Sequence, residues 1–253
     1  MKLLIDGDWL AFSTCMAFQD TICFGGGHEQ IIYDEMMAIH VLVQRIEKMK
    51  DLLCATEAEM HFSCPREDNW RRSVLPEYKM NREGLSKPIG LEDMKDYCRH
   101  HLKVVEVDSL EADDTLSIAA TGKDKGNCTI CSIDKDFLSI GTNIYNPKKN
   151  IIKAQTKRNA FKFFIYQIIV GDASDGYKGI PRVGPKGAKN FIAYNAMDLD
   201  KVWEPLVKLA KSKGVDEDYV IQQATMAHLL TADDVDDDYN IDLWTPDKIS
   251  SML

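Results

Sequence analysis

CTICSIDKDF, residues 128–137, begins with short side chains, two of them β-branched or apolar, and closes on two aspartates one residue apart. A run this brief and this rich in apolar and β-branched residues reads as a strand buried on both faces, with Asp134 and Asp136 at its C-terminal end. Working outward, KLLI (2–5), AEMHFS (58–63) and KVVEV (103–107) share the same character. Helical patterns separate them. After Asp34 as an N-cap, Ile39, Leu42, Val43, Ile46, Met49 and Leu53 recur at three- and four-residue steps and form one apolar stripe. Strand alternating with helix predicts an α/β domain with a mostly parallel twisted sheet flanked by helices.

In open α/β sheets the ligand sits at the C-terminal edge of the strands, and acids collect there. Asp6 and Asp8 close the first strand; Glu111, Asp113 and Asp114 follow KVVEV; Asp134 and Asp136 end CTICSI; Asp172 and Asp175 follow a later apolar helix. Spaced by three on a helical turn, the last two would face one side. Each acid alone is explained by a turn or a helix cap. Together they would repel one another at neutral pH unless hard divalent cations supplied counter-charge, and magnesium, which keeps waters for phosphate to displace, fits best. The chemistry expected is phosphoryl transfer with two ions about 4 Å apart, one activating water and one stabilising the leaving oxygen.

The chain has 253 residues, 28.7 kDa, 45% hydrophobic residues and a net charge of −9. That balance argues against nucleic acid as a partner unless many of the acids surround metal. No apolar run approaches the roughly 20 residues that span a bilayer, and MKLLIDGDWL meets charge too early for a secretory signal, so the expected location is the cytoplasm. Seven scattered cysteines (15, 23, 54, 64, 98, 128 and 131) suit a reducing compartment, and the CxxC of Cys128 and Cys131 has no second ligand pair for zinc. There is no GxSxG and no GxxxxGK[ST].

From about residue 157 the sequence turns helical: AFKFFIYQIIVG is strongly apolar, and further helices are expected near 201–213 and 217–230. The acidic run TADDVDDDYNID (231–242) reads as a solvated loop. Between Arg66 and Lys103 the chain is basic and poorly periodic; Trp70, Arg71, Arg72, Tyr78, Lys79 and Arg82 offer rings that stack and cations that pair with phosphate. In YKGIPRVGPKGAKN, Gly179, Gly184 and Gly187 allow close approach, Pro181 and Pro185 restrict the turn, and Lys178, Arg182, Lys186 and Lys189 surround a helix expected to begin near Gly187. The pattern resembles the helix-three-turn-helix that grips a DNA backbone without reading its sequence.

Five blocks, LLIDGDWLAF, NWRRSVLPEYKMNR, LEADDTL, SIDKDF and GDASDGYKGIPRVGPKGAKN, occur in the order found in the 5′-nuclease superfamily of flap endonucleases and 5′→3′ exonucleases. The chain resembles its bacteriophage exonuclease branch. The resemblance implies a PIN-like nuclease domain over residues 1–156, a helical arch or clamp over 66–103, and a helical region over 157–253 containing a helix-three-turn-helix at 171–195. It implies one metal site from Asp6, Glu111 and Asp113 with Asp114 nearby, and another from Asp134, Asp136, Asp172 and Asp175. Lys79 and Arg82 match the basic pair beside the scissile phosphate, and Tyr78 an aromatic that stacks on the unpaired terminal base. Asp6, Asp113 and Asp134 are the catalytic acids expected to matter most. Arg71, Arg72, Lys178, Arg182, Gly184, Lys186, Gly187 and Lys189 are the expected DNA contacts. Two magnesium ions, replaceable by manganese, and a potassium ion at the helix-three-turn-helix are the implied cofactors; DNA with 5′ ends, flaps or junctions is the implied partner, with RNA in hybrids a further candidate and no membrane. If phage-encoded, the chain would act in host cytoplasm during replication or recombination.

One departure stands out. Relatives carry an aspartate directly after the strand that here reads AEMHFSC, where this chain has Cys64, a poor magnesium ligand; Asp68 or Glu67 is the expected substitute. Two other readings compete: a haloacid-dehalogenase-like phosphatase, from the Asp-x-Asp of DGDWL, and a non-catalytic binder of branched DNA.

Overall fold

The computed structural model describes residues 1–253, the surroundings of Gly25 apart. Strand β1 (Lys2–Asp6) leads into helix α1 (Gly7–Ala17), a hairpin of β2 (Gln19–Gly25) and β3 (His28–Tyr33), helix α2 (Glu35–Leu53) and strand β4 (Glu57–Phe62). After α3 (Arg71–Val74) and α4 (Leu91–His101) come β5 (Val104–Glu106), α5 (Ala112–Thr121), β6 (Cys128–Cys131), β7 (Asn143–Asn146) and β8 (Ile151–Ala154). The rest is helical: α6 (Lys157–Val170), α7 (Pro185–Tyr194), α8 (Trp203–Ser212), α9 (Glu217–Ala227) and α10 (Ile249–Met252).

The main sheet has the order β5-β4-β1-β6-β7-β8, parallel except for β8, which runs antiparallel at the edge. Leu3, Ile5, Met60 and Phe62 pack towards α1, α2 and α4 on one side, while Leu4 and Ile130 pack towards α5 on the other. The central strands are therefore covered on both faces, which is why their sequences are apolar without alternation. Helix α2 starts at Asp34, whose carboxylate accepts from the Met37 amide at 3.0 Å, and buries Ala38, Leu42, Ile46, Met49 and Leu53. Each of the four larger side chains, Leu42, Ile46, Met49 and Leu53, contributes roughly 1.5–3 kcal/mol of hydrophobic free energy.

Three differences from expectation have physical causes. The β2–β3 hairpin is exposed on both faces, with Ile22, Ile31, Ile32 and Phe24 all substantially open, so no core face imprints a period on its sequence. The segment 66–103 is not a continuous helical arch: Pro65, Pro76 and Pro88 break it, and α3, two 3-10 turns and α4 remain. Helix α7 opens at Pro185 with Gly184 as N-cap, two residues before Gly187, because proline is favoured at the first helical position.

The helical region packs around Phe161, Phe164, Ile165, Ile168 and Trp244, and Tyr78 from the segment between α3 and α4 belongs to the same cluster. No helix of the described residues is long and apolar enough to cross a membrane.

Candidate functional site

Asp6 ends β1 and caps α1, accepting from the Trp9 amide at 2.9 Å; its other oxygen accepts from Ser132 Oγ at 2.7 Å. The same Ser132 hydroxyl accepts from the Asp134 amide at 3.0 Å, so one side chain just past β6 orients the acids of two neighbouring strands. Glu111 and Asp114 form a capping box at the start of α5, which carries Asp113 between them into the site. The Asp134 carboxylate turns back onto the Asp136 amide at 2.8 Å, and Asp136 accepts from Gln167 Nε2 of α6 at 2.8 Å.

Asp172 and Asp175 lie on a turn, not a helix, closed by Asp172 N–H to Tyr177 O at 2.9 Å and by the Ile180 amide to Ile169 O at 2.8 Å. The turn is possible because Gly171 (φ 74°) and Gly179 (φ 66°) meet backbone to backbone: a Cβ on either would lie 2.4 Å from the other's strand of chain. The segment around Lys79 is strapped across it. Lys79 N–H donates to Asp175 O at 3.1 Å, and Asn81 Nδ2 reaches Ala173 O at 3.2 Å and Ser174 O at 3.3 Å.

The acids act on one another electrostatically. Burial raises Asp113 well above the carboxylate range, and Asp134 and Asp6 push it further; no protein donor reaches its carboxylate among the described residues. Burial, with smaller contributions from Asp8 and Asp134, lifts Asp6 to about 6. Burial and Asp134 lift Asp136 to about 7, with Asp175 and Asp172 adding to it. Against burial, Lys79 and Arg71 hold Glu111 down at about 2. Of the nine carboxylates expected at the sheet edge, Asp6, Asp113, Asp136 and Asp175 are thus raised by burial and by neighbouring acids of the same set, while, against burial, lysine and arginine hold Glu111 down and Lys135 and Ser174 hold Asp172 down. A half-buried carboxylate without a donor, crowded by like charges, fits a hard cation with oxygen preference.

Cations of the chain already stand among these acids. Lys79 Nζ lies 2.6 Å from Glu111 and 3.8 Å from Asp175, Arg82 Nη2 lies 2.9 Å from Asp175, and Lys135 pairs with Asp172 and stands 3.4 Å from Asp136. Among the described residues no three His, Cys, Asp or Glu side chains are gathered tightly enough to hold an ion as they stand.

Several expected site residues are placed elsewhere. Asp114 is wholly buried and spent on protein partners: Arg71 at 2.6 and 2.8 Å, Trp70 Nε1 at 3.1 Å and the Leu230 amide at 3.3 Å. Arg71, 2% exposed, also donates to His228 O at 2.9 Å, so it is a strut between α5 and the helical region and is not open to DNA phosphates. Tyr78, 2% exposed, donates to Glu111 at 2.7 Å, and its ring is enclosed, not presented to a terminal base. Asp68 is exposed on a 3-10 turn and makes no contact with the group. Cys64 is buried at the end of β4, its amide donating to Leu110 O, and burial with the nearby Glu111 pushes its thiol up to about 12. Asp8 accepts from the Ser63 amide at 2.9 Å and from Lys95 at 2.5 Å.

Lys178, Arg182, Lys186 and Lys189 are exposed along the connection between α6 and the body of α7, and Arg72 is half-buried near Glu83. Gly184 has open space where a Cβ would stand, and no side chain caps the first amides of α7; Gly187 lies one turn further. Ser132, Lys135, Gln167 and Lys95 were missed from sequence. Gln167 left a signal, as the one amide within IYQIIV, and Lys135 sits inside SIDKDF between two acids.

A parallel α/β sheet with Asp6, Glu111, Asp113, Asp134 and Asp136 beside its C-terminal edge, Asp172 and Asp175 brought to them on the α6–α7 turn and an exposed cationic loop next to it, has the groups that a phosphodiester hydrolase needs. The family model for the N-terminal resolvase-like domain of 5′-3′ exonucleases matches residues 1–162, and the chain belongs to that family. It is 26% identical over 96% of its length to an exodeoxyribonuclease of Enterobacteria phage T3, covering 92% of that protein. It is 28% identical to a flap endonuclease Xni of Shewanella pealeana over 51% of this chain and 59% of that one. A T5 5′-exonuclease with bound zinc ions has the same fold, with a TM-score of 0.69 at 15% identity over 100% of this chain and 92% of the other.

Proposed function

We propose that this chain is a divalent-metal-dependent 5′→3′ exonuclease and flap endonuclease that hydrolyses DNA phosphodiesters near 5′ ends, in replication or recombination. Family membership and the names of its relatives support the reaction class. The observation that carries the reading is the set of acids from Asp6 to Asp175 brought to one place, of which Asp6, Asp113, Asp136 and Asp175 are raised by burial and by neighbouring carboxylates.

Asp6, Glu111, Asp113 and Asp134 would hold one magnesium or manganese ion, and Asp136, Asp172 and Asp175 with Asp134 a second. Such ions activate water and stabilise the departing oxygen. The protein's own part is to place the acids: Ser132 fixes Asp6 and Asp134, Gln167 fixes Asp136, and the capping box fixes Glu111. Lys79 and Arg82, held on the strap over the Asp172–Asp175 turn, would move to the scissile phosphate. Residues 66–103 serve as the clamp, and residues 171–195, within a helical region from 157, serve as the helix-three-turn-helix. There Lys178, Arg182, Lys186, Lys189 and the bare amides after Gly184 would bind duplex phosphates, with potassium at the turn. RNA paired with DNA is a further candidate substrate, and the host cytoplasm the setting.

A single gel tests this: a 5′-labelled flap, a blunt duplex and a single strand, each with magnesium, manganese or chelator. Cleavage of the flap or duplex in either metal, lost with chelator, is expected; Asp134→Ala and Asp172→Ala should abolish it while duplex binding persists. Full cleavage by both variants would refute the assignment.

A further inference from the structure

Lys135 lies on the turn after β6, between Asp134 and Asp136, and its ammonium joins two acids carried by different elements. It pairs with Asp172 on the α6–α7 turn and stands 3.4 Å from Asp136, while its side chain remains 58% exposed. The contrast with Arg71 decides what this contact is. Arg71 and Asp114 are 2% and 0% exposed and bound by two parallel hydrogen bonds, so neither can leave without stranding a buried charge. The Lys135 ammonium can swing back into water on its flexible stem, but Asp172 and Asp136, 7% and 15% exposed, then need another counter-cation, which an entering ion supplies.

The Lys135 ammonium already stands against both Asp136 and Asp172, so an ion entering between these two acids meets it there. We propose that Lys135 is a resident counter-cation of the Asp136–Asp172 pair, competing with the divalent ion for it, and that metal entry releases Lys135 to a phosphate of the bound strand. This rests on the assignment of Asp136 and Asp172 as metal ligands given above. Lys135 is thereby a switchable positioning residue: it holds the two acids in register without metal, and adds positive charge beside the strand with it.

Manganese binding by the full chain without DNA, followed by calorimetry or by the spin resonance of free ion, tests the competition. Lys135→Gln should bind the weaker ion about two- to fivefold more tightly, Lys135→Arg should stay near wild type, and Asp172→Asn should lose that ion. Unchanged or weaker affinity in Lys135→Gln, with Asp172→Asn deficient, overturns this proposal alone; a full complement in Asp172→Asn overturns the site assignment beneath it. For the release, duplex affinity is measured in calcium and in chelator. Lys135→Gln should weaken binding about two- to fivefold in calcium and leave it unchanged in chelator, whereas an equal loss in both, or none, overturns the release.

Discussion

Arg71 grips both oxygens of Asp114, Nη1 at 2.6 Å and Nη2 at 2.8 Å, and solvent reaches neither side chain. The pair ties the clamp segment to the first turn of α5, and the further bond to His228 O brings in the helical region. Arg71→Ala leaves a buried carboxylate without its counter-charge and should destabilise the fold by about 3–5 kcal/mol, read from urea denaturation. Arg72→Ala, one residue on and half-buried at the surface, should change stability by less than about 0.5 kcal/mol.

Ser132 holds Asp6 and Asp134 at once, donating to the first and accepting from the amide of the second. Ser132→Ala should lower cleavage or metal affinity about 10–100-fold, the usual effect of removing a group that orients metal ligands, with the far-ultraviolet dichroism unchanged. Activity within twofold of wild type would remove Ser132 from the site.

Lys79→Ala and Arg82→Ala should slow single-turnover cleavage by about 10²-fold or more while weakening duplex affinity far less, because they pair with Glu111 and Asp175 and, on the proposed function, move to the reacting phosphate. If each variant merely shifts affinity, these residues are peripheral anchors.

Metal-free protein should depend on pH in a definite direction. Asp6, at about 6, and Asp136, at about 7, retain protons in the fold that the unfolded chain has already released, so they lose stability as pH rises from about 4 to 7. Glu111, held at about 2, works in a separate window: its contribution is complete above about 4.5 and lost towards 2. His61, lowered by burial, acts oppositely to Asp6 and Asp136, and the charges acting on it are Glu59, Lys123 and Lys2, none of them among the site acids. The stabilisation gained on adding magnesium in place of chelator should therefore be larger at pH 7.5 than at pH 5.5, by on the order of 1–3 kcal/mol in urea melts. An equal gain at both values would contradict charge repulsion as the driving force.

Gly171→Ala introduces a Cβ 2.4 Å from Lys178 carbonyl carbon at a φ of 74°. The turn carrying Asp172 and Asp175 cannot close around it, so stability should fall by several kcal/mol and cleavage with it, on the order of the backbone strain and overlap combined. Gly214→Ala, also at positive φ but with open space around it, should cost only about 1 kcal/mol.

Periodicity and residue type were enough to locate β1, β4, β5, β6 and α2, and to place Asp6, Asp113, Asp134 and Asp136 beside strand ends, since burial on both faces and an apolar stripe leave local marks in the chain. The β2–β3 hairpin left none, being open to solvent on both faces. Only the tertiary structure could separate Arg71 from Arg72 or Asp114 from Asp113: adjacent residues of equal charge read alike in sequence, and which one is sealed inside with a partner depends on what packs over it from α5 and the loop after α9. Charge tells that a group wants a counter-ion; burial decides whether the protein or the solvent side supplies it.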